Sequence, residues 1–328
     1  MIEPVVLPGG ITLPDAVVRK LIDNWETTHT ADWFRALPAL VTQWCDRYTI
    51  TLDPSFPGIS YNIVLFGTSA TLGPVVLKIS PPHEESRSEV AALRLTRGPD
   101  VVTLHAADPD AGVMLIARVL PGTPLRAFDA TIADAEATSL ASTMLRAFWR
   151  EVPADEPDVI PTSRWWRDLF RYDEKLRAGA IAHEWMLPAD VTATAVAAAN
   201  RLLASAEPAT LLHGDMHHGN ILANAAGGWT IIDPKGLSGH RAYDIGTWML
   251  NDAPASEMQD VDGMLRRRLE IFAEELAMPI DVLRDGALTH SALAASWALV
   301  DSTPEQARDD RWLGMSIARA TILAGMTF

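Results

Sequence analysis

The sequence predicts a bilobal α+β protein, with a small β-rich first lobe and a larger helical second lobe. Three observations carry that expectation. Short β-type runs crowd the stretch from Gly58 to Val119. From Thr131 onward the chain turns to long amphipathic stretches rich in alanine and leucine, which are helix formers rather than linkers. Pro121-Gly122 separates the two regimes as a short crossover. A chain of 328 residues fits one large domain or two lobes, and the expected division is 1–120 and 121–328. A cleft between two lobes is a common ligand site.

Each element follows from local pattern. Residues 13–23 and 31–48 read as helices, the second from Trp33, Leu37, Leu40, Val41 and Trp44 near helical spacing. Pro38 is expected to interrupt or kink it. Ile63 to Phe66 and Val75 to Ile79 read as strands, with Gly67 to Pro74 as turn chemistry between them. Pro81-Pro82 stops the second strand, and a helix follows from about Glu84 to Arg97, acidic at its start as the helix dipole favours. Val101 to Ala106 and Gly112 to Val119 complete a first third of about five strands and one helix. Beyond the crossover, 131–149, 163–177 and 189–206 read as helices, 221–223 and 229–233 as strands, and 243–328 as mostly helical. The chain carries no internal repeat and no low-complexity segment.

Composition excludes several classes. The formal net charge of −15 argues against a nucleic-acid partner, because phosphate backbones demand positive charge. An acidic cleft would concentrate a cationic small molecule, although negative charge also simply keeps a chain soluble. Every apolar run is broken by charges or prolines before membrane-spanning length. Met1-Ile2-Glu3-Pro4 lacks the basic-then-apolar start of a secretory signal. Cys45 is the single cysteine, so no internal disulfide can form, and a cytoplasmic location is expected. Oligomeric state leaves no mark on the sequence.

One stretch carries the chemistry. His213-Gly214-Asp215-Met216-His217-His218-Gly219-Asn220 is followed by a strand-like run closing on Asp233. Asp215 can accept a hydroxyl proton. Asn220 and Asp233 offer hard oxygens for Mg2+, which keeps several waters and needs few protein ligands. Lys78, at the end of a β run, can bind nucleotide phosphates. A base, two metal oxygens and a lysine cover most of what phosphoryl transfer asks of a protein. Glu89 is the preferred carboxylate to orient Lys78, with Glu85 one helical turn earlier as the alternative. Gly67 and Gly73 flank a hairpin that would cover the phosphates, though their pattern is neither GxGxxG nor GxxxxGK[ST]. His213 reads as a brace for the loop. His217 and His218 read as substrate contacts or as solvated loop residues.

With these residues assembled, the chain resembles the aminoglycoside phosphotransferase family of protein-kinase-like enzymes. Ile232-Asp233-Pro234-Lys235-Gly236-Leu237 and Ala242-Tyr243-Asp244, together with His213–Asn220, look like its streptomycin 6-kinase and hydroxyurea phosphotransferase branch. The resemblance extends more loosely to 33–38, 76–82, 89–95 and Pro121-Gly122. It implies a protein-kinase-like fold and an ATP-dependent O-phosphotransferase. Asp215 then matches the catalytic base, Asn220 and Asp233 the Mg2+ ligands, and Lys78 the phosphate-binding lysine. Leu115 to Arg118 matches the inter-lobe segment, so the backbone of Ile116 and Arg118 is expected to hydrogen-bond adenine. Asp244 matches an acidic residue that steadies the catalytic loop from below. Lys235 meets a phosphate oxygen or is structural.

The chain departs from the family pattern in places. Ala117 stands where relatives often carry glutamate, the hairpin is poor in glycine, and a helical insert carries Trp165-Trp166 and Trp185. Counterparts of those tryptophans line substrate sites in relatives, but a tryptophan pair is more often core. The expected acceptor is a small, cationic aminocyclitol such as streptomycin, met by acidic residues of the second lobe; Asp252, Glu257, Asp260, Asp262, Glu274 and Glu275 are the candidates. Hydroxyurea, an amino sugar or another small metabolite is the alternative acceptor. Two readings from other classes are a zinc hydrolase built on His213, Asp215, His217 and His218, and a non-catalytic ATP-binding protein.

Overall fold

The computed structural model describes the chain except for residues 1–4, 16–17, 20–29, 55–61, 129–130, 182–185, 252–257 and 301–309. Helix α1 (Thr30–Tyr48) leads into a five-stranded antiparallel sheet of β1 (Ile50–Leu52), β2 (Ile63–Ser69), β3 (Gly73–Ile79), β4 (Leu104–Asp108) and β5 (Val113–Ala117), in the order β1-β2-β3-β5-β4. Pro38 does not break α1, which runs through it. Most of the expected helix at 13–23 lies outside the described residues.

Side-chain alternation along the strands decides which way the sheet faces. Val75, Leu77 and Ile79 of β3, with Val113 and Leu115 of β5, pack against Phe34, Leu37, Val41 and Trp44 of α1. The alternate residues Val76, Met114 and Ile116 turn to the opposite face and join the core of the second lobe. Lys78 shares their phase, so the pleat that buries β3 against α1 also aims the ammonium toward α2 (Glu84–Leu95) and the second lobe. Helix α2 begins where His83 Nδ1 accepts the Ser86 N–H at 3.2 Å, with Glu84 and Glu85 in the positive first turn.

The crossover is short. Past β5, strand β6 (Pro121–Pro124) already belongs to the second lobe, pairing with β10 (Ile221–Asn224), which pairs with β11 (Trp229–Ile231). A second small sheet joins β7 (Arg150–Glu151), β8 (Ile160–Pro161), β9 (Thr210–Leu212) and β12 (Leu237–Gly239). The helices of this lobe are α3 (Asp134–Phe148), α4 (Thr162–Trp165), α5 (Arg167–Arg177), α6 (Ala189–Leu203), α7 (Gly246–Leu250), α8 (Val261–Leu276), α9 (Ile280–Val300) and α10 (Arg311–Gly325). Helix α9 runs through their middle, packed on α5, α6, α7, α8 and α10. Trp166 is core, fully buried against Tyr243 at 5.0 Å, while Trp165 is half-buried and meets the exposed Trp297 edge-on. Trp185 lies outside the described residues. Among those described, no helix is long and apolar enough to cross a membrane.

Candidate active site

Two loops carry the residues expected to form the site, and strand pairing lays them side by side. Residues 213–220 connect β9 to β10, and residues 232–236 connect β11 to β12. Leu212 pairs with Leu237 at one end and Ile221 with Ile231 at the other, so each loop is pinned at both ends beside its neighbour. Main-chain bonds stitch the seam: Ile232 N–H donates to the Asn220 carbonyl at 3.0 Å and Lys235 N–H to the His213 carbonyl at 2.7 Å. His213 Nε2 lies 3.0 Å from the Ile232 carbonyl, while its Nδ1 accepts the Asp215 N–H at 3.2 Å. That pattern requires the neutral tautomer with the proton on Nε2, and burial accordingly pushes His213 down to about 4. The histidine braces the loop that carries Asp215.

Asp244 holds the first loop from below. Fully buried, its carboxylate accepts the N–H groups of His213 at 2.9 Å and Gly214 at 2.6 Å and the Trp149 indole N–H at 2.8 Å. Burial pushes its carboxyl up to about 6, against the pull of those donors. Asn220 Nδ2 donates to the Asp215 carbonyl at 3.0 Å, which leaves the amide oxygen as the end free to meet a cation. Asp233 sits in left-handed backbone at φ 59°, uncommon for a residue with a side chain and a form of strain found at functional sites.

Across the cleft, Lys78 Nζ lies 2.7 and 2.8 Å from the two Glu89 oxygens and 3.2 Å from Asp233 Oδ1. Burial alone would lower the ammonium, but Asp233 and Glu89 outweigh it and hold Lys78 above its ordinary value. Burial would raise Asp233, and Lys78 more than offsets that. Glu85, the alternative partner, instead pairs with Lys235 at 2.8 Å. The structure therefore brings Lys78, Glu89, Asp233, Asn220 and Asp215 into one connected cluster.

Other expectations need correction. The Gly67–Gly73 hairpin does not cover this cluster, because Ser69 pairs with Gly73 at its tip while Lys78 lies opposite Val64, near the far end of the strands. At about 3.3 Å per residue the tip is more than 15 Å away along the strand. At the other end Ile63 pairs with Ile79 and Val64 with Lys78; residues 55–61, before β2, are outside the described residues. Ile116 lies inside the sheet, flanked by Val76 and Leu104, and the Arg118 N–H donates to the Pro74 carbonyl at 3.0 Å. The Arg118 side chain is engaged as well, paired with Asp53 at 2.7 Å and stacked on Phe66 at 4.1 Å. Of the Arg118 main chain only the N–H has a partner in the sheet, and Val119 and Leu120 follow beyond its last strand.

No motif in the sequence signals the cavity of about 490 Å³ that lies beside the 213–220 loop, lined by Arg126, His218, Asn251, Arg311, Trp312 and Met315 among others. His218 forms one wall, stacked on Trp248 at 3.9 Å, and burial lowers it to about 4. Of the acidic candidates, Asp260 caps α8 and Glu275 accepts a bond from Ser139, while neither these nor Asp262 nor Glu274 lines the cavity. Asp252 and Glu257 lie outside the described residues. His217 Nδ1 accepts the Gly219 N–H at 2.9 Å and shapes the turn. With His213 on a carbonyl, His217 on the loop and His218 on Trp248, the imidazoles do not converge, and among the described residues no three His, Cys, Asp or Glu side chains form a metal cluster. A zinc centre finds no ligand set there.

The comparisons with known proteins address the same residues. The family model described as aminoglycoside/hydroxyurea antibiotic resistance kinase matches residues 58–302, a span that includes Lys78, Glu89, Asp215, Asn220 and Asp233. The chain belongs to this family. It is 31% identical over 286 residues to a streptomycin 6-kinase of Streptomyces glaucescens, covering 83% of this chain and 86% of that protein. It is 27% identical over 259 residues to a streptomycin 6-kinase of Streptomyces griseus, covering 75% and 78%. Among solved structures, a thermostable mutant of aminoglycoside phosphotransferase APH(4)-Ia, in ternary complex with ADP and hygromycin B, superposes with a TM-score of 0.55 over 88% of this chain and 99% of that one, at 10% identity. The likeness establishes the protein-kinase-like bilobal fold. As a member of the aminoglycoside/hydroxyurea kinase family, the protein is a small-molecule phosphotransferase acting on hydroxyl groups.

Proposed function

We propose that this kinase transfers the terminal phosphoryl group of ATP to a hydroxyl of streptomycin or a closely related aminocyclitol. The observation that carries the acceptor is the 31% identity to a streptomycin 6-kinase across most of both chains. Residues 1–120 act as the nucleotide lobe and 121–328 as the catalytic and acceptor lobe, in a cytoplasmic setting that supplies ATP.

Asp215 orients the acceptor hydroxyl and takes its proton as the new oxygen–phosphorus bond forms and the bond from the terminal phosphorus to ADP breaks. Lys78, fixed by Glu89, binds the phosphates that stay with ADP. Asn220, through its free amide oxygen, and Asp233 are the hard oxygen donors suited to Mg2+, with phosphates and water completing its shell. Bound there, Mg2+ would neutralise charge on the phosphate oxygens. The backbone at the crossover, from the Arg118 carbonyl to Leu120, binds adenine. His213 and Asp244 keep the loop in register.

Hydroxyurea, or another small uncharged acceptor, is a second reading, favoured by one observation: Arg126 and Arg311 line the cavity, while none of the described acidic candidates does. Coupled measurement of ADP release separates the two. Turnover with streptomycin and none with hydroxyurea supports the first; turnover with hydroxyurea alone supports the second; ADP release with no hydroxyl-bearing acceptor of either class overturns the acceptor assignment.

A further inference from the structure

Lys235 follows Asp233 by two residues and is not required by the mechanism above. Its main chain is anchored to the catalytic loop through the His213 carbonyl at 2.7 Å, and its Cβ packs at Gly214, where an added methyl would come within 3.1 Å. Its ammonium crosses the cleft to Glu85 at 2.8 Å, in the first turn of α2. The two ion pairs that span this region differ in kind. Lys78 is only 7% exposed and gripped by both oxygens of Glu89, whereas the side chains of Lys235 and Glu85 are 29% and 40% exposed. A rim pair of that kind contributes little to stability and exchanges partners readily.

We propose that Lys235 is a second phosphate-facing cation, parked on Glu85 without nucleotide and turned to the terminal phosphoryl group when ATP binds. The proposal rests on the kinase reading and goes beyond it. Placement supports it: Lys235 projects from the same turn as Asp233 and lies against the loop that carries Asp215, the side from which the acceptor must approach. A terminal phosphate carries more negative charge and more acceptor oxygens than the one carboxylate it would displace, and it offers charge-assisted hydrogen bonds.

The test compares binding of magnesium-loaded ADP with that of a magnesium-loaded non-hydrolysable ATP analogue, by calorimetry. K235M alone would leave Glu85 as an added negative charge, so the comparison is E85Q against E85Q/K235M. Losing one charge-assisted contact to the terminal phosphate should weaken the analogue about tenfold while leaving ADP within about twofold. E85Q/K235R should retain the preference for the analogue, and K78M should weaken both ligands. Thermal unfolding checks the fold, and K235Q in the same background is read identically if methionine impairs it. Equal loss for both nucleotides, or no loss for either, overturns the proposal while leaving the kinase reading intact. A wild-type protein that binds neither nucleotide overturns the kinase reading itself.

Discussion

Replacing Asp244 by alanine strands three donors at once, the buried N–H groups of His213 and Gly214 and the half-buried indole N–H of Trp149. A buried donor left unsatisfied costs about 1–3 kcal/mol, so the two in the loop alone should cost at least about 2 kcal/mol, a large share of the 5–15 kcal/mol that typically separates folded from unfolded protein. Two of the three donors lie in the loop that carries Asp215, so turnover should fall further than stability alone explains. Trp149→Phe provides the internal scale, because it removes one donor and should cost about 1 kcal/mol. Urea unfolding followed by tryptophan fluorescence, read beside ADP release under conditions where each variant is folded, checks both parts. A loss below about 1 kcal/mol for Asp244→Ala, with turnover intact, would refute the reasoning and mean that the loop finds other acceptors.

Two further outcomes follow from packing and from titration. Gly286→Ala, which in an ordinary helix interior gains about 1 kcal/mol, should instead destabilise: the added methyl would lie 1.9 Å from the Ala242 carbonyl oxygen, and the segment it displaces carries Asp244. A raised melting temperature would contradict this. Acid should destabilise the protein well above the carboxylate range. His213, His218 and His290 are buried and held near about 4, below their ordinary value of 6.5. The unfolded chain therefore takes up their protons first, and their contribution is full above 6.5 and lost as pH falls toward 4. Asp244, raised to about 6, works in the opposite sense over part of that window and offsets one of the three. Each net proton is worth about 1.4 kcal/mol per pH unit, so denaturant midpoints should drop from pH 7 to pH 5; a constant or rising midpoint would show that the imidazoles are not held neutral.

The clustering of Lys78 with Glu89 and Asp233, and of Asp215 with Asn220, is legible in the sequence because the motifs are local. Asp215, Asn220 and Asp233 are set by spacing across two loops, and Glu89 was preferred to Glu85 from its depth in one helix. What the sequence hid depends on pairing between distant or very short segments. Strands β9 and β12 are three residues each, too short to show a period, yet their pairing lays the two loops together. Which hairpin end approaches Lys78 is a matter of register, and the glycine pattern misassigned it. The backbone of Ile116 and the N–H of Arg118 are taken by neighbouring strands, which motif matching along one chain does not register. The buried Arg268, 2.6 Å from Asp134 and bonded to the Trp248 and Asn251 carbonyls, supports the wall behind His218 from residues with no sequence signature in common.

The account stands on Asp215 as proton acceptor within a preformed phosphate site. Asp215→Asn keeps shape and removes basicity, so the most direct measurement is turnover and nucleotide affinity on that one variant. ADP release in the presence of acceptor should fall by at least about a hundredfold, with the dissociation constant for magnesium-loaded ATP analogue within about threefold of wild type. Turnover within tenfold of wild type would contradict the account.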